Sequence, residues 1–195
     1  MTGEAAVPVT IRTTRLAIRE LEAEDADAVQ RCAGDPEVVR HLPFGPNTPD
    51  ETRAFLDRVL EAQRERPRRD YEMAICQDDE LIGCVRISIR SPDHRQGDIG
   101  YMLRRDLWGR GLMTEVAVAI VRFGFDSLGL HRIWATCGTE NLASARVLEK
   151  LGMRREGHLL HERLVRGKWR DTYIYAIVED EWRAGRQGGP SSPAG

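Results

Sequence analysis

The rhythm of apolar positions changes twice between residues 99 and 123. Ile99, Tyr101 and Leu103 fall at period two, which predicts a strand with one buried face. From Leu112 the spacing is helical, with Leu112, Val116, Ile120 and Phe123 along one side, and predicts a helix over 112–128 that Gly129 ends. Between the two patterns lies Gly109-Arg110-Gly111. A strand, a glycine loop and a helix N-terminus present outward backbone N–H groups and the positive end of the helix dipole to an anion. Glycine removes the Cβ that would hold a phosphate off the backbone. The same spacing also serves as a plain strand-to-helix turn. Two nucleotide motifs are excluded: no Gly-x-x-x-x-Gly-Lys-Ser/Thr occurs, and Thr114 stands where Gly-x-Gly-x-x-Gly needs its third glycine.

The same reading orders the rest of the chain. Residues 11–20 read as a first strand, and acidic residues over 22–25 open a short helix over 26–33 that Gly34-Asp35-Pro36 stops. Residues 38–42 read as a further helical turn. Thr48, Pro49 and Glu51 form a capping-box start, and Phe55, Leu56, Val59 and Leu60 share one side of the helix that follows. These two helices are placed to fold over a pocket. The charged run 64–69, broken by Pro67, reads as a solvated helix end, with an anion site as the alternative. Strands over 71–76 and 81–89 make a hairpin through Asp78-Asp79-Glu80. A strand over 132–137 and a helix over 141–151 follow, the helix carrying Leu142, Ala145, Leu148 and Leu151 inward and stopping at Gly152. Residues 153–155 resume a strand, and 159–165 with 172–178 flank Arg166-Gly167-Lys168-Trp169 as a last hairpin.

Residues 1–9 read as a flexible leader and the Gly/Pro/Ser-rich residues 184–195 as a disordered tail, leaving one domain over 10–183. The order β-α-α-β-β-β-α-β-α-β-β predicts an α/β (α+β) fold: a mixed, mostly antiparallel sheet with helices on both faces. The strand at 99–103, the glycine loop, the long helix and the strand at 132–137 form one right-handed, parallel β-α-β unit.

Composition narrows the function. A chain of 195 residues suits one domain with a core large enough to stand alone. Charged residues make up 31% but the net charge is only −2, which argues against nucleic acid as a direct partner. Lys150 and Lys168 are the only lysines among the cations. Cys32, Cys76, Cys84 and Cys137 form no Cys-x-x-Cys pair and read as buried reduced thiols. With no signal peptide and no long apolar span, no membrane partner is expected and the cytoplasm is the expected compartment.

A second stretch, 139–157, makes the picture specific. It contains Asn141-x-x-Ser144 and Glu149-Lys150-Leu151-Gly152-Met153. With Thr14-Arg15-Leu16-x-Ile18-Arg19, Leu81-Ile82-Gly83, Ile99-Gly100-Tyr101 and 108–115 (Trp-Gly-Arg-Gly-Leu-Met-Thr-Glu), the chain resembles the GNAT acetyltransferase superfamily. Within it, the RimJ/RimL-type N-acetyltransferases are the branch it resembles. Gly167-x-Trp169-x-Asp171-x-x-x-Tyr175 and Glu181-Trp182 continue the likeness, which covers residues 10–183 in register.

The resemblance implies acetyl-CoA as acetyl donor and an amine as acceptor. It implies a pyrophosphate on backbone donors of Gly109, Arg110, Gly111, Leu112, Met113 and Thr114. It implies a pantetheine arm paired along Met102, Leu103 and Arg104, where the two parallel strands splay. Asn141 would bind the arm through its side-chain amide; an N-cap role for the next helix stands beside that. The amine attacks the thioester directly, so the site needs a route for the amine proton, an oxyanion donor and a donor for the leaving thiolate.

Three departures bear on those roles. Leu148 stands where many relatives carry the tyrosine that protonates the thiolate, and the resemblance transfers that part to Ser144. Asp106 replaces a common Gln or Arg. Leu159-Leu160-His161 replaces Leu-Arg-Glu, so the base is open between Glu162 and His161, each of which also reads as a surface strand residue. The spacing of His158, His161 and Glu162 fits no recognised ligand set, and no metal is expected. Two readings compete with an enzyme: a catalytically inactive acyl-CoA-binding regulatory domain, and a plain interaction domain. The identity of the amine, protein N-terminus or small molecule, and the formation of a homodimer stay open.

Overall fold

The computed structural model describes residues 8–187. Strands β1 (Thr10–Arg12) and β2 (Ala17–Glu20) form a hairpin where the sequence predicts one strand. Thr13 is the reason: its N–H donates to Leu16 O at 2.8 Å, and its hydroxyl accepts from Leu16 N at 3.0 Å. The same hydroxyl donates to Glu115 Oε1 at 2.6 Å, which pins the turn to a distant helix. Helices α1 (Ala26–Ala33) and α2 (Pro49–Arg64) follow, and α2 starts on the expected box. Glu51 N donates to Thr48 Oγ1 at 3.3 Å and Thr48 N to Glu51 Oε2 at 2.7 Å. Residues 38–42, expected as a helical turn, belong to a run of turns over 36–41 that ends in a bend at 42.

The chain continues through β3 (Asp70–Gln77), β4 (Glu80–Ser91), β5 (Gln96–Leu103), α3 (Leu112–Asp126), β6 (Arg132–Gly138), α4 (Leu142–Lys150), β7 (Arg154–Val165), β8 (Lys168–Val178) and α5 (Glu179–Gln187). The strands form an eight-stranded sheet in the order β1-β2-β3-β4-β5-β6-β8-β7. Each neighbouring pair is antiparallel except β5 and β6. That parallel pair matches only Gln96, Gly97 and Asp98 to Arg132, Ile133 and Trp134. Beyond residue 98 the two strands separate, and the sheet opens into a cleft.

Two cores hold the faces apart. On one face Val85, Ile87 and Ile99 pack against Val116, Ile120 and Val121 of α3 and Leu148 of α4. Helix α3 lies close because of Gly124: a Cβ there would stand 2.6 Å from Ile87 Cδ1 and 2.7 Å from Ile133 Cδ1. On the other face Ala74, Cys84 and Met102 pack against Val29 and Cys32 of α1 and Leu56 and Val59 of α2. Each fully buried aliphatic side chain contributes about 1.5–3 kcal/mol, enough to hold both layers against the sheet. All four cysteines are buried free thiols. Residues 184–187, expected in the tail, extend α5, whose Trp182 packs at 6.0 Å from the Phe125 ring. The leader 1–7 and residues 188–195 lie outside the described residues. No helix among the described residues is long and apolar enough to cross a membrane.

Candidate active site

The cleft begins where β5 leaves β6. Arg104 N donates across to Ile82 O on β4 at 2.8 Å. Backbone groups alternate sides along an antiparallel strand, so those of Met102 and Gly100 also face β4, while those of Tyr101 and Leu103 face the cleft. The edge expected at Met102, Leu103 and Arg104 is thus shifted by one residue. Trp108 Nε1 donates to Leu103 O at 2.8 Å. The Arg104 side chain turns outward to Asp106 at 2.8 Å and to Glu80.

The glycine loop fits an anion. Gly109 and Gly111 both sit at φ 75°, a left-handed conformation that side-chain-bearing residues adopt at a cost. A Cβ on Gly109 would meet nothing within 4 Å, so the need for glycine here is conformational, not a matter of space. Gly111 is the N-cap of α3 and no side chain caps that end. The first-turn N–H groups of Leu112, Met113 and Thr114 therefore point along the helix dipole at whatever lies before it. Two cations flank the loop, since Arg15 Nη1 donates to Arg110 O at 3.1 Å. Glu115 holds Arg15 in place through Nε at 2.7 Å and the backbone N at 2.8 Å.

Across the cleft, Asn141 caps α4: its Oδ1 accepts from Ser144 N at 3.1 Å. That leaves the amide nitrogen as the end able to donate to a ligand, so the cap is compatible with the second expected role. Ser144 Oγ lies 2.9 Å from the Tyr101 hydroxyl. Burial pushes the Tyr101 phenol up, so it stays protonated and can donate. The sequence reading uses Tyr101 as a strand marker and as part of the Ile99-Gly100-Tyr101 likeness, with no role in the chemistry. Its partnership with Ser144, 43 residues on, is visible only once α4 packs against β5.

Tyr101, Gly100, Ile99, Thr136 and Arg163 line two cavities that meet at the splay. One, about 350 Å³, reaches Asn141, Ser144 and Asp171. The other, about 620 Å³, runs under α1 and α2 to Phe55, Glu72 and Asp98. Leu42 and Pro43 roof both. This roof is held by Arg166 of the β7–β8 turn, whose guanidinium donates to the carbonyls of Val39, Arg40, Phe44 and Gly45 at 2.9–3.2 Å.

His161 and Glu162, the expected bases, do not line either cavity. The β7–β8 register slips between Leu159 and Arg163, and His161 sits at φ 49° in this bulge. A bulge turns its residues off the ladder. His161 stacks on Trp169 at 6.4 Å, and Glu162 pairs with Arg163 at 2.7 Å and accepts from Thr172 at 3.1 Å. His158 instead meets Asp171 at 3.2 Å. The His161 backbone N–H, then His158, hold the Asp171 carboxyl below its usual range. Among the described residues, no group of three or more His, Cys, Asp or Glu is arranged to hold a metal ion.

Two carboxylates that do line the larger cavity, Asp98 and Glu72, have no part in the sequence reading of the site. Asp98 is bound by Arg86 at 2.7 Å and by Arg90. Burial opposes its ionisation, but the bonds from Arg86 and Arg90 win and hold it below the ordinary aspartate value. Glu72 lies 4.0 Å from Arg86 Nε, and burial pushes its carboxyl up to about 7, with Arg86 offsetting only part of the effect. It lies on a strand that alternation alone marks only as structural.

Comparison with known proteins agrees with this geometry. The model of the acetyltransferase (GNAT) domain matches residues 15–154. The uncharacterized N-acetyltransferase YnaD of Bacillus subtilis (strain 168) is 36% identical over 172 residues, 88% of this chain and 98% of that one. A GNAT-family acetyltransferase from Bacillus anthracis superposes with a TM-score of 0.78 at 32% identity, covering 88% of this chain and 99% of that chain. RimJ of Mycobacterium smegmatis, solved with CoA-disulfide, gives a TM-score of 0.78 at 26% identity over 89% and 88% of the two chains. On these matches this chain belongs to the GNAT acetyltransferase family, as an N-acetyltransferase whose donor is acetyl-CoA.

Proposed function

We propose that this enzyme acetylates a primary amine by direct attack on the acetyl-CoA thioester, in the manner of the RimJ/RimL-type branch. The observation that carries this reading is the meeting of two cavities at Tyr101, one from the Ser144 side and one from beneath α1 and α2. Donor and acceptor then approach one strand from opposite faces. The pyrophosphate rests on the N–H groups of Gly111, Leu112, Met113 and Thr114, and the arm enters between β5 and β6. The Tyr101 and Leu103 N–H groups face the thioester carbonyl and stabilise its oxyanion. The amine nitrogen forms the new C–N bond, the C–S bond breaks, and the electron pair leaves on sulfur. Ser144, backed by the protonated Tyr101, donates a hydrogen bond to that sulfur, and Asn141 holds the arm. An active enzyme fits these parts better than an acyl-CoA-binding regulator, because Ser144 and Tyr101 are aligned where a leaving thiolate needs a donor.

The test is a panel of butylamine, spermidine and alanyl-terminated peptides, scored by release of free coenzyme A thiol. Release with at least one amine, matched by acetylated product, supports the proposal. Tight acetyl-CoA binding without release from any amine favours the regulator.

A further inference from the structure

Glu72, Arg86 and Gly100 form one cross-strand row, Glu72 opposite Arg86 on β4 and Arg86 opposite Gly100 on β5. All three line the larger cavity. The row spans two strand spacings, roughly 10 Å between the outer Cα atoms, with Arg86 between them. Gly100 makes room for the Arg86 guanidinium, which lies over it: a Cβ there would stand 3.3 Å from Arg86 Nη2. Arg86 is committed elsewhere, with bonds to Ser88 at 2.7 Å and to both Asp98 oxygens at 2.7 and 3.1 Å. Its remaining reach to Glu72 is the 4.0 Å contact. Asp98 is held ionised by two arginines; Glu72 has only the long contact to Arg86, and 20% of its side chain is accessible. The apolar flank of the cavity, Phe55, Met102 and Leu42, suits an alkyl chain.

We infer that Glu72 receives the ammonium end of the acceptor and takes its proton, which selects cationic amines without a negative charge next to the reacting nitrogen. This rests on the amine-transfer reading. One proton passes from the ammonium to the Glu72 carboxylate before attack. The second leaves the nitrogen as the tetrahedral adduct collapses and ends on the sulfur, giving neutral thiol. Glu72 returns its proton to water. The groups that set its ionisation are Arg86 on β4, Asp70 on β3 and Asp98 on β5. Glu51 and Arg58 of α2 and Arg163 of β7 complete the charged lining. Burial outweighs the pull of Arg86 and brings the carboxyl to about 7, where a base serves proton transfer near neutral pH.

The experiment uses the full chain with the best amine of the panel and follows kcat/KM from pH 5.5 to pH 9 for wild type, Glu72→Gln and Glu72→Asp. Wild type takes the amine as its ammonium form, whereas Glu72→Gln must take it already neutral, so the two profiles are compared directly. Wild-type kcat/KM should rise through about 7 and then level off, while Glu72→Gln should lie about 10²-fold lower near pH 7 and keep rising to the alkaline end of the range. Glu72→Asp should keep the pH-dependent limb at a reduced rate, and acetyl-CoA affinity should be unchanged in both variants. A Glu72→Gln profile that levels off near pH 7 as the wild type does, or a folded Glu72→Asp that lacks the limb, overturns the inference while leaving amine transfer intact. A wild-type protein that binds acetyl-CoA and turns over no amine overturns the transfer reading first, and the role of Glu72 with it.

Discussion

The two ends of the cleft are built in opposite ways. The proposed donor end comes mainly from one continuous run, β5, the glycine loop and the first turn of α3, with Arg15 and Asn141 its distant contributors. The acceptor end gathers the roof at residues 39–45, α2, Glu72 of β3, Arg86 of β4 and the Arg166 turn, from parts of the chain more than 120 residues apart. A contiguous site depends on local backbone conformation. A gathered site depends on register and on long-range clasps. Damage should therefore separate cleanly: changes at the loop should read out in acetyl-CoA affinity, and changes at the roof in acceptor KM.

The largest effect should come from Gly111→Val. A β-branched residue at φ 75° pushes the loop out of its conformation and withdraws several N–H donors, each worth about 1.5–3 kcal/mol toward a charged acceptor. Acetyl-CoA Kd, measured by calorimetry, should rise by about 10³-fold while circular dichroism stays that of the wild type. Unchanged affinity in a folded variant would move the donor elsewhere and dissolve the comparison. Ser144→Ala comes next and tests the junction of the two ends. It should lower kcat by about 10²-fold with acetyl-CoA affinity nearly unchanged. Stability should hold, since alanine is the better helix former. Wild-type kcat, with chemistry limiting, would remove Ser144 from the mechanism.

Arg166→Ala sharpens the acceptor side. It frees the roof from a clasp onto four carbonyls, and acceptor KM should rise by about 10-fold with acetyl-CoA Kd unaltered. An equal rise in both constants would show that the ends are mechanically one. The smallest effect is expected from dialysis against a chelator, which should leave activity and melting temperature unchanged at both ends. Loss of activity restored by zinc would return His158 and His161 to the mechanism.

Sequence alone determined the elements whose causes are local. The capping box at Thr48, the strand-to-helix change around Gly109 and Gly111, the Asn141 cap and the order of strands and helices all follow from neighbours within a few residues. The one-strand reading of 11–20 missed a tight turn that Thr13 and Leu16 close on each other and that Glu115, 102 residues from Thr13, pins. The two candidate bases, His161 and Glu162, line neither cavity because they lie in a bulge of β7, and a one-residue slip changes which side chains face the site. Only the tertiary structure decided that Glu72, Arg86 and Gly100 stand in one row, that Tyr101 meets Ser144, and that Arg166 ties down the roof. Each is a contact between segments whose spacing in sequence carries no period, set by strand register and by packing across the two faces of the sheet.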